Sequence, residues 1–320
     1  MSNYYKGWSS FSCFFSAEYS QNFLKKCYRN LHISDIDSKS YQNCYPFMYF
    51  LEHGKLYYQQ AISAPMSIQP ILLFYGLVHL IKACLLTIDP SYPNSTSVLA
   101  HGVSTRKLKK QQYLFFQDEI KIQKNGLFTY MAEKMFGCKN LEGEKVKMGH
   151  LFNQVPELSD LFQALEGKAT FLKVNFHNPN IILIPNQVLD LYFMNSNHFR
   201  NYLERNHGIQ LEGIEENKTE LTVRLLETLN QSSFIKCDSR ERTYVISTDK
   251  EKTFFSNEML CHYLILYNLS MIARYEIEWW SELLKTMPNK DYPFIETFLQ
   301  IAIEKGPQLI YQFLENLAKS

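Results

Sequence analysis

Residues 67–105, SIQPILLFYGLVHLIKACLLTIDPSYPNSTSVLAHGVST, decide the fold, because a long apolar segment ends there in a polar loop. Pro70 stands where the first turn of a helix tolerates proline. Asp89 precedes a proline, which disfavours the helical conformation and ends the helix. The segment between them, 71–88, is long enough to cross a membrane. The sequence therefore predicts one long apolar helix over residues 67–88, followed by a loop.

Three polar side chains interrupt this helix on one face: Tyr75, His79 and Lys82. A lysine in the middle of a bilayer is costly, so we expect a core helix and no membrane partner. All three side chains donate hydrogen bonds, and together they suit a carboxylate or a phosphate. The alternative is that they line the exposed edge of a partly buried helix.

A second apolar helix is predicted within residues 255–286, and it also carries a polar face. That face consists of Tyr263, Tyr267, Ser270, Arg274 and Glu278. A buried arginine needs a partner, since an unpaired buried charge is too costly. The partner is either an anionic ligand, if the two polar faces converge, or a structural ion pair with Glu276, Glu278 or another acid.

The loop over residues 90–105 is long, and long loops inside compact domains are often functional. It ends in His101-Gly102, after which Ser104 or Thr105 could cap a helix that presents free N–H groups. We expect His101 and Arg106 at the rim of a site; a plain solvated helix start is the alternative. The candidate ligand-binding residues are Tyr75, His79, Lys82, His101, Arg106, Ser270 and Arg274.

Composition and the absence of known motifs argue against several classes of protein. The net charge is +1, so no bulk field attracts nucleic acid or an anionic membrane. The seven cysteines are widely spaced without a C-x-x-C pair, which indicates reduced thiols and a cytoplasmic location. Walker A, G-x-G-x-x-G, H-E-x-x-H and G-x-S-x-G patterns are absent, and the histidines lack metal-ligand spacing. We therefore expect neither a cofactor nor a metal.

Periodicity indicates an α+β protein with a mainly helical core and a strand-rich middle. Helical spacing covers residues 19–31, 41–60, 127–136, 255–286 and 292–319, with a short strand over 119–123. Alternating runs in 168–253 predict strands in KATFLKVNF, NIILI, TELTVRLL, SSFIKC and RTYVIST. The predicted regions are a helical 1–165, a strand-rich 166–254, and C-terminal helices in 255–320 that pack on the N-terminal region.

Four segments resemble the YaaC family of Bacillus and related Firmicutes, in the same order along the chain. They are SYQNCYPFMYFLEHGKLYYQQA (40–61), SIQPILLFYGLVHLIKACLL (67–86), SVLAHGVSTRKLKKQQ (97–112) and NLSMIARYEIEWWSELL (268–284). The resemblance implies a cytosolic protein and brings no established activity. Ile277 stands where related sequences often carry proline, so we expect the helix to continue past Tyr275.

A weaker resemblance, in Phe74-Tyr75-Gly76 and Lys82-Ala83, is to the helical HEPN domains of RNA-targeting nucleases. It implies a homodimer whose catalytic Arg and His are separated by four to six residues. Arg200 and His207 fit that spacing, which also arises by chance, and they fall in the strand-rich middle.

The sequence thus leaves three functions open. The first is binding of an anionic ligand such as a nucleotide or RNA. The second is a HEPN-type metal-independent ribonuclease, and the third is a structural or partner-binding module without catalysis.

Overall fold

A computed structural model describes residues 5–105, 113–227, 234–250 and 257–319. The structure is 60% helical and 15% strand, with helices towards both ends and strands in the middle, which confirms the α+β class. The helices are α1 Ala17–Asn30, α2 Ile36–Ser63, α3 Gln69–Ile88, α4 Leu127–Phe136, α5 Met148–Phe152, α6 Ser159–Glu166, α7 Gln187–Tyr192, α8 Ser196–His207, α9 Glu258–Tyr275, α10 Ile277–Thr286 and α11 Asp291–Lys319. The strands are β1 Val103–Thr105, β2 Glu119–Ile122, β3 Lys145–Lys147, β4 Phe171–Asn178, β5 Ile181–Pro185, β6 Leu211–Glu216, β7 Glu220–Leu225, β8 Ile235–Asp238 and β9 Thr243–Ser247.

The chain forms two compact units. One consists of Met1–Gly149 with His262–Ser320, and the other of His150–Cys261. In the first unit α3 packs against α1, α2, α4 and α11. Within the described residues, α3 is the helix long and apolar enough to cross a membrane, but 67% of that window is buried. The apolar segment 71–88 is therefore part of a core helix of this unit.

Close packing of α2 on α3 depends on two glycines. A Cβ at Gly54 would lie 2.5 Å from Cδ2 of Leu80, and a Cβ at Gly76 would lie 2.8 Å from the Tyr58 ring. Both distances are shorter than real Cβ contacts allow, so only glycine lets the helices approach this closely. As a result, the polar residues of α3 lie beside residues of α2.

A small antiparallel sheet, in the order β1-β2-β3, belongs to the same unit. Ser104 and Thr105 lie in this sheet, where Val103 pairs with Ile122 and Thr105 with Ile120, and the helix that either was expected to cap falls in residues 106–112, outside the described residues. Ser104 accepts a side-chain hydrogen bond from Gln123.

The second unit contains a six-stranded antiparallel sheet, in the order β6-β7-β5-β4-β9-β8. The five runs predicted as strands correspond to β4, β5, β7, β8 and β9. Strand β6 and helices α7 and α8 were not predicted. Helix α8 has few apolar residues, but Phe199 and Leu203 are buried in the core beneath the sheet. Tertiary burial therefore selects a helix that a weak sequence pattern does not indicate.

The expected continuation of helix past Tyr275 is wrong. Glu276 has a non-helical backbone (φ −117°, ψ 50°), and α10 begins one residue later. The indole N–H of Trp280 donates to the Ser67 carbonyl at 3.0 Å, which holds α10 beside the start of α3. This tertiary contact and the burial of Trp280 direct the chain into a turn without a proline.

Candidate functional site

The loop that carries His101 is held by backbone hydrogen bonds. The Leu127 N–H donates to the Ala100 carbonyl at 2.7 Å, and the Phe128 N–H donates to the His101 carbonyl at 3.2 Å. The Gln123 N–H donates to the Gly102 carbonyl at 2.9 Å. The first N–H groups of α4, which a free helix start would leave unsatisfied, thus fix this loop.

The His101-Gly102 sequence is required by a close backbone approach. A Cβ at Gly126 would lie 2.2 Å from the Cα of Gly102, and both glycines have positive φ (137° and 78°). Tyr263 on α9 donates its hydroxyl to the His101 carbonyl at 2.8 Å. The backbone of His101 is therefore fixed by both α4 and α9.

The imidazole of His101 lies among aromatic rings of α3 and α9. Its centroid is 5.0 Å from Phe74, 6.0 Å from Tyr75 and 5.7 Å from Tyr267. Phe74 also packs edge-on against Tyr263 at 5.3 Å. The two predicted polar helix faces are therefore brought together around His101.

Arg274 joins the α9 face to the α3 face. Its Nη1 donates to the Tyr75 hydroxyl at 3.3 Å, and its Nε donates to the Ser270 carbonyl at 3.1 Å. Its Nη2 contacts the Met271 sulfur at 3.2 Å. The guanidinium also lies over the Tyr75 and Tyr275 rings, at 5.8 and 5.2 Å. A guanidinium has five N–H donors, so two remain after these three contacts.

On α3, the polar stripe faces residues of α2. The His79 ring stacks on Tyr57 at 5.5 Å and lies 5.4 Å from the His53 ring. The Lys82 ammonium lies 5.8 Å from the centroid of the Phe50 ring. Nδ1 of His79 is buried without a hydrogen-bond partner. Sequence reasoning missed these α2 residues, although aromatic side chains at four-residue intervals in α2 would have indicated them.

We call Tyr75, His79, Lys82, His101 and Arg274 the cation cluster. Burial is the main cause that lowers the pKa of His101, and the charges of Arg274 and Lys82 lower it further. Burial, followed by Lys82 and then His53, lowers the pKa of His79 to about 4. Burial also lowers the pKa of Lys82. Both histidines are neutral at pH 7, and their surroundings are already positive.

The positive charges of the cluster are not paired with carboxylates in the described part of the chain. No carboxylate of a described residue forms an ion pair with Lys82 or with Arg274. The ion pair of Arg274 with Glu276 or Glu278, considered from the sequence, is therefore not formed. Two half-buried cations near one histidine raise the electrostatic free energy of the folded protein unless an anion joins them.

Two further residues, Arg106 and Ser270, were predicted for the site. Arg106 lies outside the described residues. Ser270 is fully buried, and its hydroxyl donates to the Tyr267 carbonyl at 2.8 Å. Ser270 contributes to the site through its carbonyl, which orients Arg274.

A buried polar network fixes α9 in its position. Asp118 is 5% exposed and accepts hydrogen bonds from the Tyr113 hydroxyl at 2.7 Å and from the Asn268 amide at 2.9 Å. Its second oxygen accepts from the Glu119 N–H at 3.0 Å. Because Asn268 is on α9 and Asp118 precedes β2, this network ties the helix that carries Arg274 to the small sheet.

Arg200 and His207, the pair with HEPN-like spacing, lie on α8 in the second unit. Arg200 donates to Glu204 at 3.0 Å and to the Leu211 carbonyl at 3.1 Å. The His207 ring packs against Tyr202 and Phe234, and burial lowers its pKa to about 4. These contacts connect α8 to β6 through Arg200 and to the core of that unit through His207.

Within the part of the chain that the structure describes, no group of three or more His, Cys, Asp or Glu side chains could hold a metal ion. None of the seven cysteines, all of which lie in described residues, forms a disulfide bond.

Comparison with known proteins gives one match. No curated protein is similar enough to match the chain. No solved structure matches it either. The model of the YaaC-like protein family matches residues 12–314, which include the α2, α3 and α9 segments that build the cation cluster. The chain therefore belongs to the YaaC-like protein family.

Proposed function

We propose that this protein binds an anionic, phosphate-bearing ligand, such as a nucleotide or RNA, at the cation cluster. The observation that carries the proposal is that Lys82 and Arg274 both lie near enough to His101 for their charges to lower its pKa, while neither forms an ion pair with a described carboxylate. Like charges held together below the surface are stabilised by an anion of opposite charge.

The donors of the cluster suit phosphate oxygens. Arg274 retains two N–H groups, and guanidinium groups bind phosphate with a planar pair of donors. Lys82 supplies a mobile ammonium and Tyr75 a hydroxyl. His101 and His79, neutral at pH 7, each carry one ring N–H donor. In this proposal, donors from α3, from α9 and from the loop share the oxygens of one phosphate.

A structural role for Arg274 predicts a different response to substitution. Breaking a buried ion pair costs about 3–5 kcal/mol, because the remaining charge is left uncompensated. Here Arg274→Met removes a long hydrogen bond to the Tyr75 hydroxyl, at 3.3 Å, and one to the Ser270 carbonyl, and it leaves no described carboxylate without its partner. We expect the free protein to change in stability by no more than about 1 kcal/mol.

The experiment measures thermal unfolding of the full chain with inorganic phosphate and with a nucleoside monophosphate. A probe at 100 times its dissociation constant should add about 2.7 kcal/mol to the stability of the wild type. Arg274→Met and Lys82→Met should each abolish that gain. The matched control is Arg224→Met, since Arg224 is similarly exposed but paired with Glu215 at 3.0 Å. The proposal fails if neither probe stabilises the wild type, or if Arg274→Met is stabilised as much as the control.

A further inference from the structure

An aromatic side chain occurs at every fourth residue of α2 over five successive positions. These are Tyr41, Tyr45, Tyr49, His53 and Tyr57, which we call the aromatic ladder. With 3.6 residues per turn and a 1.5 Å rise, each step moves about 6 Å along the helix and about 40° around it. The ladder therefore winds around α2 instead of following one straight face.

Burial changes along the ladder in the way this winding requires. Tyr41 is 68% exposed, Tyr45 49% and Tyr49 56%. His53 is still exposed, but its ring lies 5.4 Å from His79, and Tyr57 is half-buried and stacks on His79. The ladder thus begins in solvent and ends at the cation cluster.

The opposite face of α2 supplies the packing that folding needs. Its buried positions are Ser40, Cys44, Phe47, Leu51, Gly54, Tyr58 and Ala61, spaced by four and three residues. The three exposed tyrosines are therefore not needed for the core of the unit. The Tyr45 and Tyr49 rings lie 6.0 Å apart at 35°, so they present a continuous aromatic surface.

We propose that the aromatic ladder and the cation cluster together bind single-stranded nucleic acid. A backbone phosphate occupies the cluster, and successive bases stack on Tyr49, Tyr45 and Tyr41. The inference rests on the proposed function and extends it from a phosphate group to a polymer. Base stacking on aromatic side chains beside cations is how proteins bind single strands without reading their sequence.

The positive charges beside the aromatic ladder favour nucleic acid over a second copy of this chain as the molecule that covers it. Lys82 and Arg274, at the buried end of the ladder, form no ion pair with a described carboxylate. An apolar protein face laid on the tyrosines would bury these cations further, which is costly. A polyanion neutralises them, and the face of every base can cover a tyrosine ring.

The test measures fluorescence anisotropy of a labelled single strand of about 12 nucleotides titrated with the full-length protein at fixed salt. We expect tighter binding than that of a nucleoside monophosphate. Tyr45→Ala and Tyr49→Ala should each weaken it about five- to a hundredfold, whereas Tyr45→Phe should retain it. Tyr244→Ala is the control, because Tyr244 is also 49% exposed but lies on β9 in the other unit. Arg274→Met should weaken binding of the single strand as well.

Stabilisation by inorganic phosphate distinguishes a failure of this inference from a failure of the proposed function. Inorganic phosphate touches the cluster alone, so Tyr45→Ala should leave its stabilising effect unchanged. A single strand that binds no more tightly than the monophosphate, or that binds the tyrosine variants like the wild type, overturns the inference while phosphate binding stands. A dimer in sedimentation that Tyr45→Ala dissociates also overturns it, because a second copy then covers the ladder. Loss of all phosphate binding overturns the proposed function itself.

Discussion

Replacing Gly126 by alanine should displace the loop that carries His101. The added Cβ would lie 2.2 Å from the Cα and 2.3 Å from the N of Gly102, and 2.9 Å from the Ala100 carbonyl oxygen. These are backbone atoms, so no side chain can rotate away. The backbone of Gly126 (φ 137°, ψ 179°) lies in a region that only glycine commonly adopts.

Two costs add. The backbone conformation costs about 1–3 kcal/mol in alanine. Restoring an ordinary contact of 3.4 Å requires a movement of about 1.2 Å, which breaks hydrogen bonds that Ala100 and His101 accept from Leu127 and Phe128. Each lost bond costs about 0.5–1.5 kcal/mol. Gly126→Ala should therefore reduce the free energy of unfolding by about 2–6 kcal/mol.

The control is Gly137→Ala. Gly137 ends α4 with φ 67°, and an added Cβ there meets no atom within 4 Å. Gly137→Ala should therefore lower the free energy of unfolding only by the cost of placing alanine in the left-handed conformation, about 1–2 kcal/mol. Urea unfolding of both variants, followed by circular dichroism, measures the difference. Phosphate stabilisation should survive in Gly137→Ala and be lost in Gly126→Ala. Equal stability of the two variants would show that the loop is not held by this contact.

Three further predictions concern the same unit. Asp118→Asn should cost about 2–4 kcal/mol in urea unfolding, because the buried carboxylate accepts three hydrogen bonds, whereas Asp249→Asn, at an exposed ion pair, should cost less than about 1 kcal/mol. His79 has a pKa near 4 in the folded protein against an ordinary 6.5, so the unfolded chain binds a proton that the folded one does not between those values. The wild type should therefore lose stability relative to His79→Gln as the pH falls from 6.5 to 4, and parallel pH profiles would contradict this. Truncation after Lys252 should unfold the N-terminal helices, as followed by circular dichroism; a fragment of residues 1–165 that melts cooperatively would contradict it.

Local sequence determined the elements whose pattern is strong. The predicted bounds of α4, 127–136, are those observed, because Gly126 precedes it and Gly137 ends it in a left-handed conformation. Helix α3 was predicted from its apolar length and from its flanking prolines. The alternating runs gave five strands of the larger sheet, since half-buried strands alternate apolar and polar residues.

Tertiary contacts decided what local pattern left open. Thr105 became part of a strand because β2 offered hydrogen-bond partners, and the chain turned at Glu276 where Trp280 found the Ser67 carbonyl. The sequence alone indicated polar residues on two distant helices. Their meeting around His101 required the glycine contact of α2 with α3 and the crossing of Gly102 over Gly126.

The same division holds for the candidate site. The sequence determined that Tyr75, His79 and Lys82 share a face and that Arg274 needs a partner. Only the folded chain showed that described carboxylates do not pair with these cations and that α2 supplies the neighbouring rings. Periodicity specifies which side of a helix is apolar, but the partner of that side is chosen by packing between segments almost 200 residues apart, as Tyr75 and Arg274 are.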